Sequence, residues 1–101
     1  MAIAQQPDLR AYCVELAQSA HAATVDLGCA SGAQKNDWLR RCAAKLRQQT
    51  PAIVEANSCD IAAAPSFGLT DAAIDRLRLT PARIADMARG LEEVAALPDP
   101  I

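Results

Sequence analysis

Proline divides this chain into lengths that suit short helices. Thr50-Pro51 and Thr80-Pro81 are typical helix starts, because a hydroxyl can cap the first turn and proline at the first helical position loses no hydrogen bond. Pro65 and Gly68 end one helix, and the two prolines within residues 97–100 prevent another from continuing. The sequence contains no segment with the alternation of a β-strand. It therefore predicts an all-α chain with four main helices and one short helix.

Capping residues and apolar periodicity predict where each helix begins and ends. Asp8 should cap the first helix, which is expected to stop before Gly28. Ser31 and Gln34 have the spacing of a capping box that opens the second helix. The third helix is expected from Thr50 to about Ala64, the short helix over residues 71–77 behind the cap Thr70, and the last helix from Thr80-Pro81 onwards.

Each predicted helix has one apolar face with steps of three and four residues. Much of the apolar content is alanine, so a core built from these faces should be marginally stable. His21 lies at the edge of the first face and is expected to be partly buried. The faces comprise Leu9, Cys13, Leu16, Ala17, Ala20, Ala23 and Leu27; Trp38, Leu39, Cys42, Ala43 and Leu46; Ile53, Val54 and Ile61; and Ile84, Met87, Ala88, Leu91, Val94 and Ala95.

The formal net charge of −2 argues against a nucleic-acid binder, since such proteins usually carry a basic excess. The second helix has a cluster of Arg40, Arg41, Lys45 and Arg47, for which we favour a solvated face over a DNA-binding surface. No apolar run approaches the roughly 20 residues of a membrane span. The sequence therefore predicts a soluble, cytoplasmic protein with neither nucleic acid nor membrane as a partner.

The four cysteines, Cys13, Cys29, Cys42 and Cys59, are widely spaced, and only one histidine accompanies them. This spacing contains no zinc signature. Without a secretion signal we expect the cysteines to be reduced and mostly packed.

Three polar residues within the predicted helices need partners. Asn57 falls on the apolar face of the third helix and should hydrogen-bond a neighbouring helix end or Asp60. Arg76 and Arg83 could contact a phosphate group. We favour salt bridges within the helical layer, to Asp75 or Asp86.

One stretch is similar to a known family. Residues 68–84 contain Gly68-Leu69, Asp75-Arg76-Leu77 and Leu79-Thr80 followed by Arg83. Together with the exit Leu97-Pro98-Asp99-Pro100, they resemble the glutamyl phosphate reductases. Glu55-Ala56-Asn57 with Asp60 looks like a further family segment. The resemblance spans about residues 8–101 and is strongest over the last third.

The resemblance implies an amino-terminal segment of glutamate-5-semialdehyde dehydrogenase, an enzyme with an aldehyde-dehydrogenase-like α/β fold. That family uses NADPH to convert L-glutamyl 5-phosphate to L-glutamate 5-semialdehyde in proline biosynthesis, and its cysteine nucleophile and cofactor loops lie downstream of the matched region. The resemblance thus implies no catalytic, cofactor-binding or metal residue in this chain, which alone should be inactive. Its partners would be the remaining domains of the same enzyme, a homo-oligomer when complete.

This resemblance also implies a domain organisation. Residues 1–7 would be a flexible start, residues 8–97 the helical layer, and residues 98–101 the beginning of a nucleotide-binding α/β domain. The alternative is a self-contained helical module that binds another protein through its amphipathic helices.

Overall fold

The computed structural model describes residues 8–101, and the predicted flexible start at residues 1–7 lies outside the described residues. The chain forms two compact units, one that ends at Ser31 and one from Gly32 to Ile101. Residues 8–101 contain five α-helices and one 3₁₀ turn, joined by short irregular segments, and no strand. The predicted all-α class, with four main helices and one short helix, is confirmed.

The first unit contains α1, Leu9–Gly28. Asp8 caps it as predicted, since its Oδ1 accepts from the backbone N–H groups of Arg10 (3.1 Å) and Ala11 (3.2 Å). The helix includes Gly28 rather than stopping before it. No residue of α1 is buried and His21 is exposed, so the expectation of a partly buried His21 is wrong.

The second unit contains α2 (Gly32–Gln48), α3 (Thr50–Ala63), the 3₁₀ turn Ala64–Phe67, α4 (Asp71–Leu77) and α5 (Pro81–Ala96). Gly68 closes the 3₁₀ turn in the left-handed region (φ 73°), which glycine adopts without strain. Beyond α5, the residues from Leu97 onwards have no helical structure, as the two prolines predict.

Two of the three predicted threonine caps are confirmed. The hydroxyls of Thr70 and Thr80 accept from the N–H groups of Ala73 and Arg83, each at 3.2 Å. The cap predicted at Thr50 is wrong, because only Gln49 separates α2 from α3 and the Thr50 hydroxyl instead donates to the carbonyl of Leu46 (2.9 Å). The helix start at Thr50-Pro51 is nevertheless where the sequence placed it.

The core of the second unit lies mainly between α2 and α5, the pair of helices with the most extensive contact. They run in opposite directions, since Lys35 near the start of α2 pairs with Asp99 beyond α5, and Arg47 near its end pairs with Glu92. Small side chains let the helix backbones approach closely. The buried apolar residues are Ala43, Ala64, Ile84, Ala88 and Ala95.

Several large residues predicted to face inward are exposed instead. Trp38 is 64% exposed, Met87 47% and Val94 53%. The reason is geometric: within this unit one helix covers only a narrow stripe of its neighbour, and the rest of each wide apolar arc stays in solvent.

Ile84 is the one fully buried large side chain among the described residues, which makes it the point where core packing can be measured. We expect Ile84→Val to lower the free energy of unfolding by about 1 kcal/mol, through the lost methylene and the cavity it leaves. Urea denaturation followed by circular dichroism measures the change. Ile101→Val removes the same group from a fully exposed position and should have no effect; equal effects of the two variants would contradict the core assignment.

Candidate functional site

Asn57 is the one buried polar residue among the described side chains, and it holds the connection between α4 and α5. Its Nδ2 donates to the carbonyl of Leu77 (3.0 Å), and its Oδ1 accepts from the N–H of Leu79 (2.8 Å). Leu77 is the last residue of α4, so the predicted bond to a neighbouring helix end is confirmed and Asp60 is not the partner. The side-chain amide thus satisfies one backbone carbonyl and one backbone N–H of this connection.

Arg83 holds the same connection through its guanidinium. It donates to the carbonyl of Asp75, to that of Arg78 (2.7 Å), and to the Asp75 carboxylate (3.4 Å). The expected salt bridge to Asp75 is therefore confirmed, whereas Asp86 pairs with Arg89 (2.7 Å). These bonds occupy three of the five N–H donors of Arg83 within the helical layer, which favours a structural role over contact with a phosphate.

Replacement of Asn57 by alanine should destabilise the second unit by about 2 kcal/mol, because it leaves the Leu77 carbonyl and the Leu79 N–H without partners. Asn57→Asp retains the acceptor for Leu79 but loses the donor to Leu77, so it should also destabilise. Urea denaturation measures both variants. The neighbouring Ser58→Ala, at an exposed position of α3, is the control and should change little. Equal stabilities of Asn57→Ala and Ser58→Ala would show that the two Asn57 hydrogen bonds do not hold the α4–α5 connection.

A second polar contact ties the segment after α5 to the start of α2. Asp99 accepts from Lys35 Nζ (3.2 Å, at Oδ2) and from the N–H of Ile101 (3.1 Å, at Oδ1). A Cβ at Gly32 would lie 3.2 Å from Asp99 Oδ2, so glycine permits this approach. We call these contacts the Asp99 latch. Sequence analysis missed it because 64 residues separate Lys35 from Asp99 and no local pattern links them.

The latch borders a groove of about 350 Å³. Its walls come from the first turns of α2, the end of α5 and the exit segment. The lining residues are Lys35, Asn36, Leu39, Val94, Leu97, Pro98, Asp99 and Pro100.

The hydrogen bond from the Ile101 N–H, followed by that from the Lys35 ammonium, lowers the pKa of Asp99 below the ordinary aspartate value. Because the folded pKa is depressed, the contribution of the carboxylate to stability is present above the unfolded pKa, near pH 4, and disappears as pH falls through the folded pKa.

Carboxyl NMR titration of Asp99 should therefore give a pKa below the ordinary aspartate value. Lys35→Ala should raise that pKa part of the way back, since the bond from Ile101 remains. Lys45→Ala removes a charge of the same sign from the same helix without touching the latch and should leave the pKa unchanged. An ordinary pKa for Asp99 in the unaltered chain would contradict the latch.

A wider groove, about 440 Å³, opens where α2, α3 and α5 come together. We call it the Cys42 groove after the half-buried thiol in its wall. It is lined by Cys42, Lys45, Leu46, Gln49, Ile53 and Leu91.

The cysteines are more accessible than the sequence predicts. All four are free thiols, but Cys13, Cys29 and Cys59 are exposed and Cys42 is only half-buried. The expectation that they are mostly packed is wrong, because the buried interface is filled by alanine and isoleucine. Within residues 8–101, no group of three or more His, Cys, Asp or Glu side chains is arranged to hold a metal ion.

The basic cluster on α2 is partly neutralised. Arg41 pairs with Asp37 (2.8 Å), and Arg47 pairs with Glu92 of α5. These ion pairs favour the interpretation of a solvated face over a nucleic-acid surface. Separately, none of the described helices is both long and apolar enough to cross a membrane.

Comparison with known proteins identifies the relatives of this chain. It is 50% identical over 97 residues to a gamma-glutamyl phosphate reductase from Rhodopirellula baltica, an alignment that covers 96% of this chain and 22% of that protein. Proteins of the same name from Methylocella silvestris and Rhodospirillum rubrum are 44% and 46% identical over 98% and 93% of the chain. The chain is homologous to an amino-terminal segment of the gamma-glutamyl phosphate reductases.

The family resemblance expected from residues 68–101 is thereby confirmed. The chain spans about a fifth of the length of these relatives. No family model matches the sequence, and no solved structure matches it. The homology covers α1 to α5 together, so Asn57, Arg83 and Asp99 all lie within the aligned length of a reductase segment.

Proposed function

We propose that this chain is the amino-terminal helical segment of glutamate-5-semialdehyde dehydrogenase, which reduces L-glutamyl 5-phosphate to L-glutamate 5-semialdehyde in proline biosynthesis. The observation that carries the proposal is the 50% identity over 97 residues to a gamma-glutamyl phosphate reductase. Because the identity extends along 96% of the chain rather than over one short motif, it supports a helical layer shared with the reductase.

The segment's own contribution to this reaction is structural. NADPH would supply the hydride, yet the described residues do not fit a dinucleotide: Gly28, Gly32, Gly68 and Gly90 are scattered and form no phosphate-binding loop. In the proposal, the cofactor site and the cysteine nucleophile are supplied by the further polypeptide of the reductase. The chain alone should therefore show no reductase activity.

The Asp99 latch has a defined place in this proposal. In the proposal, residues 98–101 lead into the nucleotide-binding α/β domain, and the latch fixes the direction of this segment. The support is the contact of Asp99 with Lys35 and the close approach to Gly32, which orient the exit segment on α2. The complete enzyme would be a cytoplasmic homo-oligomer, with the remaining domains as the direct partners of this segment.

A chimeric enzyme tests the proposal. The 101-residue chain replaces the homologous segment of the Rhodopirellula baltica reductase, and activity is measured as phosphate-dependent reduction of NADP⁺ by glutamate 5-semialdehyde, the reverse of the proposed reaction. We expect kcat/KM within about tenfold of the parent enzyme, because the helical layer contains no reacting group.

Two controls accompany the chimera: the parent enzyme with its segment deleted, and the 101-residue chain alone. Both should be inactive. A chimera that lacks activity while the parent enzyme is active would contradict the proposal. It would favour the alternative of a self-contained helical module, which the capped helices and exposed apolar side chains of α1 and α2 also suit.

A further inference from the structure

The Cys42 groove is an apolar concavity of the second unit. Leu46, Ile53 and Leu91 form its walls, and Lys45 and Gln49 stand among them. A groove of about 440 Å³ with such walls leaves hydrocarbon in contact with water, which is unfavourable by about 25 cal/mol per Å².

Trp38 extends this surface along α2. It lies four residues before Cys42, one helical turn away on the same face, and 64% of it is exposed. Tryptophan is enriched at the centres of protein interfaces, where its large ring is desolvated. The groove and Trp38, neighbours at this helical spacing, are therefore considered together as one candidate contact surface.

A second copy of the chain does not suit this surface. In a two-fold contact, residues near the axis meet their own equivalents. With the axis through the groove, Lys45 in its wall would face Lys45 of the other copy, and like charges in apposition oppose association. Lys45 forms no ion pair among the described residues, so a partner with an acidic residue opposite it would be favoured.

The relatives indicate where such a partner lies. The aligned segment is 22% of the Rhodopirellula baltica protein, so most of that polypeptide is outside the alignment and linked to it covalently. Covalent linkage keeps a docking surface at high effective concentration, which suits an apolar groove with a single charge.

We propose that the Cys42 groove and Trp38 together receive an apolar segment, with an acidic residue opposite Lys45, from the reductase polypeptide beyond the homologous region. This inference rests on the proposed function. It assigns the interdomain contact to the surface formed by α2, α3 and α5 around the Cys42 groove, rather than to the Asp99 latch or the 3₁₀ turn.

Thiol alkylation tests the assignment directly. Native chimera and isolated 101-residue chain are treated with iodoacetamide, and the rate at each cysteine is followed by peptide mass spectrometry. We expect Cys42 to react at least about tenfold more slowly in the chimera, because alkylation then requires opening of the covered groove. Cys59, exposed on α3 in the same unit, is the control and should change less than about twofold.

A pair of exposed aromatic residues supplies matched variants. Trp38→Gln should restore Cys42 alkylation in the chimera toward the rate in the isolated chain and should lower chimera activity. Phe67→Gln, at a residue 79% exposed on the 3₁₀ turn, should do neither. Circular dichroism of the isolated variants checks that both retain their helices.

The outcomes separate the two claims. An active chimera in which Cys42 reacts as fast as in the isolated chain overturns the groove assignment and leaves the proposed function standing. Equal effects of Trp38→Gln and Phe67→Gln also overturn it. An inactive chimera beside an active parent overturns the proposed function and the groove assignment with it.

Discussion

The second unit depends on close packing between α2 and α5 through small side chains. Ala43 on one helix and Ala88 and Ala95 on the other are buried, and Ile84 is the large residue that fills the remaining space. Such a contact brings two helix backbones together but removes little hydrocarbon from water. The apolar surface of Trp38 and of the Cys42 groove therefore remains outside the core.

Polar contacts fix two segments that this small core does not pack, the α4–α5 connection and the exit segment. The connection between α4 and α5 has its backbone bonded by Asn57 on one side and by Arg83 on the other. The exit segment is held by Asp99, which bonds Lys35 and approaches Gly32. Each contact ties a non-helical segment to a helix, so these few side chains orient segments that contribute little to the core.

The exposed apolar residues and the homology both support the proposed contact with further polypeptide of a reductase. The chain spans about a fifth of its reductase relatives, and the second unit has a large apolar groove with an exposed tryptophan beside it. The exposed stripe of α1 fits this view, since none of its residues is buried in its own unit. In the proposed function, such a helical layer would position the domains that contain the nucleophile and the cofactor site.

The sequence by itself determined the helices, two of the threonine caps and the family, because caps, proline positions and apolar periodicity act over a few residues and homology runs along the whole chain. It also identified Asn57 as a residue that needed a partner. Only the tertiary structure decided that this partner is the α4–α5 connection, that Asp99 meets Lys35, and that Trp38 points to solvent. Those outcomes depend on which arc of each helix another helix covers, and periodicity shows the apolar arc without showing how much of it is buried.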